Sequence, residues 1–335
     1  MRSHTRAGRT TSRVLAAGAV AALLVVSGCS DSGSSDDKAA AVGQQAAAAA
    51  AGPPVISEAD AKALMTKITA ANNKANLALD PEQVGGYEAE ASLASDAAGL
   101  ISYVGRPLGE FDYELETLLA PSSTAGADFF VADAVVGSAT QHYPLVLAKA
   151  GADWKVVHSA PLEVPLPELQ KGAAGSVEVV DRADPAKTLL ISPEQVAQEH
   201  ATALGTAGGK GPFAGDATSA KVVESDQARE QIRFEDGAAP DALDIKTTVT
   251  PYPVRALRTK DGGALVAYST QTEFVATKAG AEADLGPILT KLGGRTAPGK
   301  VSVTILNMWW TKVPAMGKGD KVTVLGGTNQ PVSVK

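Results

Sequence analysis

Two stretches of this chain open in the same way 135 residues apart: Ile56-Ser57-Glu58-Ala59-Asp60 and Ile191-Ser192-Pro193-Glu194-Gln195. In each, an apolar residue precedes a serine whose hydroxyl can accept from the first free amides of a helix. The second copy adds Pro at the first helical position and Gln at the third, the capping-box pattern, where the first copy has Asp60. After the first cap Leu64, Ile68, Ala71, Ala75 and Leu79 recur at helical spacing, with Lys62, Lys67 and Lys74 off that stripe. After the second, Val196, His200, Ala203 and Leu204 form a shorter stripe that ends at Gly205 to Gly209.

Each helix is followed by strand-like segments separated by turn signals. In the first half these are Phe111 to Leu119, Phe129 to Val136, Tyr143 to Lys149 and Trp154 to Val157, with turns at Pro121-Ser122-Ser123 and Gly151-Ala152-Asp153. In the second half they are Val254 to Thr259, Ala264 to Ala276, Val301 to Lys312 and Lys321 to Leu325. Phe129 to Gly137 precedes Ala264 to Thr272 by the same 135 positions as the caps. The expected fold is α+β: two similar domains, residues 55–160 and 191–335, each a leading helix packed on a curved antiparallel sheet of about four strands. Residues 161–190, with Pro161, Pro165 and Pro167, read as an extended, semi-rigid connection. Two unrelated α+β domains are the alternative.

The layout resembles the cystatin-like and nuclear-transport-factor-like cone folds over most of residues 55–335. That resemblance implies a helix across the concave face of each sheet and a cavity in which enzymatic members place Asp, His or Tyr.

The N-terminus reads as an address. Arg2, Arg6, Arg9 and Arg13 precede the apolar run Val14 to Val26, only 13 residues long, whereas a membrane-spanning helix needs about 20. Next comes Val26-Ser27-Gly28-Cys29, holding the one cysteine of the chain. These four residues resemble the bacterial lipobox. The resemblance implies that residues 1–28 are a signal peptide cleaved between Gly28 and Cys29, and that Cys29 carries the lipid. Two or three acyl chains on one residue anchor stably where a single chain does not. Residues 29–54, rich in Ser, Asp and Ala, read as a flexible tether reaching about 25 to 30 Å. The expected place is the extracytoplasmic face of the cell membrane.

Removing residues 1–28 takes four arginines and no acid, leaving 26 Lys plus Arg against 37 Asp plus Glu. So acidic a chain, with no basic stripe, is unsuited to nucleic acid, and it gains nothing from anionic headgroups, so the lipid must do the anchoring. With Cys29 lipidated, the folded part has no disulfide and no thiol nucleophile.

No Gly-x-Ser-x-Gly turn is present, and His142, His158 and His200 show no metal-ligand spacing. The sequence therefore points to no catalytic set, no metal and no cofactor. His142 and His158 are candidates for ligand contact if their strands pair as a hairpin, against the simpler reading of half-exposed strand-end histidines. His200 shares the helix face of Val196 and Ala203 and reads as a satisfied core histidine, or as a cavity residue. Gly208 to Gly215 lacks the Lys-Ser/Thr ending of a phosphate loop and reads as a plain loop. In Val301 to Lys312 the alternation breaks at Leu306-Asn307-Met308-Trp309-Trp310, which suits a strand covered on both faces. It also suits one tryptophan in the core and the other on a partner or ligand surface, where Pro251-Tyr252-Pro253 can contribute.

These features favour a non-enzymatic binding or scaffolding module of the cell envelope, meeting a protein, a cell-wall fragment or a hydrophobic ligand. The alternatives are a small-ligand sensor lipoprotein, or an envelope hydrolase or isomerase using carboxylates in a cone-shaped cavity.

Overall fold

The computed structural model describes residues 52–105, 108–137, 141–205, 211–216, 218–219, 232–235, 237, 239–293 and 298–335. Gly28, Cys29 and nearly all of the tether lie outside the described residues. Helix α1 (Glu58–Ala78) starts where the serine cap predicts, with Ser57 Oγ accepting from the Asp60 amide at 3.1 Å. It ends at Leu79, whose left-handed conformation, φ 50°, turns its amide back onto the Ala75 and Asn76 carbonyls. Helix α2 (Glu90–Ser102) has no counterpart in the sequence reading. Small residues fill it, Gly99 lies within it and Ala89 offers no side-chain cap.

Four antiparallel strands follow in chain order: β1 (Tyr113–Leu119), β2 (Phe129–Val136), β3 (His142–Ala150) and β4 (Asp153–Ser159). The second half opens on α3 (Pro193–Leu204), where the capping box is complete: Ser192 Oγ accepts from the Gln195 amide and Gln195 Oε1 accepts from the Ser192 amide. A three-residue ribbon strand, β5 (Ile232–Phe234), comes next and pairs later with β9 (Ala283–Leu285). The second sheet then runs from β6 (Ala242–Val249) and β7 (Arg255–Arg258), both on β8 (Ala264–Thr277), through β10 (Lys300–Val313) to β11 (Thr323–Val334). The one-turn helix α4 (Pro287–Leu292) sits between β9 and β10. β6 pairs Thr270 to Thr277 while β7 pairs Ala264 to Ala267. They are one edge, broken where Pro251 and Pro253 cannot supply ladder amides. The fold is α+β, and both sheets are chain-order antiparallel meanders.

Side-chain alternation puts each sheet between two apolar layers. The inner faces meet: Phe129, Val131, Val146 and Val157 pack with Leu257, Leu265, Met308, Trp310 and Leu325. The outer face of the first sheet, Phe130, Ala132, Leu145 and Leu147, is covered by Ala61, Met65 and Ile68 of α1. The outer face of the second, Val266, Tyr268, Trp309 and Val324, is covered by Val196, Ala197 and Ala203 of α3. The layers therefore run helix, sheet, sheet, helix.

Residues 161–190 are hydrogen-bonded to both sheets. The Val177 amide donates to Ala120, the Val180 amide to Ala256, and the Glu163 amide to Leu325. Gly326 permits the last of these contacts, because a Cβ there would overlap the Pro161 and Leu162 backbone. Arg255 on β7 reaches across to Glu90 of α2 with two bonds of 2.8 Å. The expected semi-rigid connection is therefore built into the shared core. Among the described residues no helix is long and apolar enough to cross a membrane.

Candidate functional site

Beside the shared core, the inner face of the first sheet leaves a groove of about 610 Å³. One wall is Thr117 and Leu119 of β1, Asp133 of β2 and His142 of β3; the other is the connecting chain from Pro165 to Lys171, with Lys260. Leu119, Pro165, Leu166, Pro167 and Leu169 make most of the lining apolar. At the far side Lys260 pairs with Glu168 at 2.7 Å, both exposed.

Strand register places the polar end. Thr117 lies directly opposite Asp133 across β1 and β2, while His142 is paired with Val135 and so sits diagonal to Asp133 on the same face. The β1 ladder skips between Leu115 and Thr117, leaving Glu116 without a paired residue. The bulge puts Glu116 and Thr117 on the same face, and Glu116 Oε2 comes within 3.5 Å of His142 Nδ1. His142 Nδ1 is also 2.9 Å from Asp133 Oδ2. Asp133 is only 5% exposed, and its Oδ1 has no hydrogen-bond partner among the described residues. Burial pushes its carboxyl above the ordinary range, against the opposing pull of His142, and Glu116 adds to the rise. Glu116, Asp133 and His142 can bring one ligand atom each within 4.8 Å of one another. This set of two oxygens and one nitrogen suits a cation or the polar end of a ligand.

The other sequence candidates fall elsewhere. His158 pairs with Val146, not His142, and lies buried in the inter-sheet core, edge-on to Trp310 at 5.1 Å. Burial, with the Arg255 charge, lowers its pKa to about 3. The two histidines are therefore not brought together. Trp309 and Trp310 are 0% and 1% exposed, so neither lies at the surface, and the reading of a strand covered on both faces holds. Trp309 donates to Thr270 Oγ1 at 3.0 Å, while Trp310 Nε1 has no hydrogen-bond partner among the described residues.

His200 is a satisfied core histidine. Its Nδ1 meets Tyr268 at 2.7 Å, its Nε2 meets Ser219 at 2.6 Å, and its ring stacks on Phe213. Phe213 belongs to the turn Gly211–Phe213, so this part of the glycine-rich run plugs the core; Gly208 to Lys210 lie outside the described residues. A further buried acid, Glu88, is pushed well above its ordinary pKa by burial and by neighbouring Asp96, but it lies away from the groove, beside α2.

Sequence reasoning found His142 but missed its partners. Asp133 was visible as the one charge inside Phe129 to Val136. Glu116 was not, because its approach to His142 depends on how β1 and β3 are registered across β2.

No curated protein and no solved structure matches the chain. One family model does, over residues 53–335, which takes in the whole of the four-layer unit and its groove, and the chain belongs to that family, described as Domain of unknown function (DUF8094).

Proposed function

We propose that this protein is a lipoprotein held at the extracytoplasmic face of the cell membrane by acylated Cys29, and that its groove binds a small amphipathic ligand without transforming it. The observation that carries the reading is a mainly apolar cleft with a buried, half-partnered carboxylate at one end. About 610 Å³ falls within the roughly 300 to 1,000 Å³ of small-molecule sites, which pair apolar walls with a few placed polar groups. A ligand whose body lies on Leu119, Leu166 and Leu169 and whose polar end meets Asp133 and His142 fits this lining. With both tryptophans buried, the groove rather than those indoles is the candidate contact.

Two variants test the two parts. Cys29→Ser is expected to move the chain from membrane to soluble fractions; membrane association equal to wild type would defeat the anchoring. Thr117→Trp places an indole in the groove. Native mass spectrometry of the protein extracted from its host membrane is expected to show a bound small molecule on the wild type and bare protein for Thr117→Trp. Bare wild-type protein, or the same adduct on both, would refute the groove.

A further inference from the structure

We propose that Glu116, Asp133 and His142 form a site for one divalent first-row metal ion of the Zn²⁺ or Mn²⁺ class at the polar end of the groove. Two donors about 2.1 Å from one ion, at angles between octahedral and tetrahedral, stand about 3.0 to 3.4 Å apart. His142 Nδ1 stands 2.9 Å from Asp133 Oδ2 and 3.5 Å from Glu116 Oε2, bracketing that range, so small side-chain rotations suffice.

Two further observations point the same way. Glu116, left without a ladder partner by the bulge, holds a second carboxylate on the same face as His142. A simple Asp133–His142 hydrogen bond leaves this unexplained. It also leaves Asp133 Oδ1 buried and without a hydrogen-bond partner among the described residues, a costly arrangement for a carboxylate oxygen unless a cation or donor meets it. Imidazole with two carboxylates matches Zn²⁺ or Mn²⁺ better than Mg²⁺ or Ca²⁺, which favour oxygen alone. To ligate, His142 presents the Nδ1 lone pair and carries its ring proton on Nε2. Three protein donors leave coordination positions for water or for an oxygen of the bound ligand. This last role rests on the reading of the groove as a binding site; the ion site itself does not.

The test uses metal alone, so its failure is separate from that of ligand binding. The full chain in detergent is stripped with chelator, freed of chelator, and titrated with ZnCl₂ or MnCl₂ by calorimetry. One equivalent is expected to bind. Glu116→Gln, at an exposed position that leaves the fold intact, is expected to weaken affinity by about 10-fold, and His142→Gln and Asp133→Asn on the order of 100-fold. For Mn²⁺, the free-ion paramagnetic resonance signal is expected to disappear on adding wild type and to persist with the variants. Absence of equimolar binding at millimolar ion, or binding that Glu116→Gln and His142→Gln both leave unchanged, would overturn the site.

Discussion

Trp309→Ala is expected to lower unfolding free energy by about 3 to 5 kcal/mol, a large share of the roughly 5 to 15 kcal/mol that holds a typical domain together. The indole is fully buried beneath α3, with its ring 4.6 Å from His200 and its Nε1 donating to Thr270. Gly327 is shaped to it, since a Cβ there would stand 2.5 Å from the indole. Truncation leaves a cavity that this packing cannot close. Trp310→Phe is the contrast. That indole is as deeply buried, but its Nε1 has no hydrogen-bond partner among the described residues, so Phe forfeits no such bond, keeps a ring in the site and is expected to cost clearly less than Trp309→Ala. Urea midpoints of the two variants check the difference, and equal losses would mean that the two faces of β10 are not packed as described.

The second large effect is on pH dependence. His158 titrates near 6.5 when unfolded but near 3 when folded, because burial, and then the Arg255 charge, disfavour its cationic form. Above 6.5 neither state binds the proton and stability is unaffected. Between 6.5 and 3 the unfolded chain takes a proton that the folded chain refuses, so stability falls with pH, by about 2 kcal/mol at pH 5. His200, also lowered to about 3 by burial, adds a loss of the same sign. Glu88 acts oppositely: its raised pKa lets the folded state keep a proton that the unfolded state releases, so acid favours folding there. His158→Phe isolates one contribution, retaining a ring against Trp310 and removing the titration. Chemical denaturation is expected to show the variant gaining on wild type by about 2 kcal/mol between pH 8 and pH 5. Parallel profiles would place His158 in contact with solvent.

The local order of elements was readable because its causes are local. The serine caps set the starts of α1 and α3, and turn residues bounded β1 to β4. Helix α2 was hidden by its small residues and missing cap. β6 was hidden because Asp244, Ile245 and Lys246 are all exposed on an edge, where no apolar alternation is required. The layering was hidden for another reason: strands apolar on both faces, as in Phe129 to Val136, announce that each sheet is covered twice without saying by what. That ambiguity also concealed the groove, which exists only because residues 165–171 cross the inner face of the first sheet. His142 was legible as a chemical type. Its setting depends on a diagonal across β2 and β3 and on how β1 is aligned against β2, and both are properties of register.

The most direct measurement is a crystal structure of the protein extracted from its host membrane without refolding. Density is expected for a small molecule lying along Leu119, Leu166 and Leu169 with its polar end at Asp133 and His142. A groove holding only water, with a co-purified molecule bound elsewhere on the chain, would contradict it.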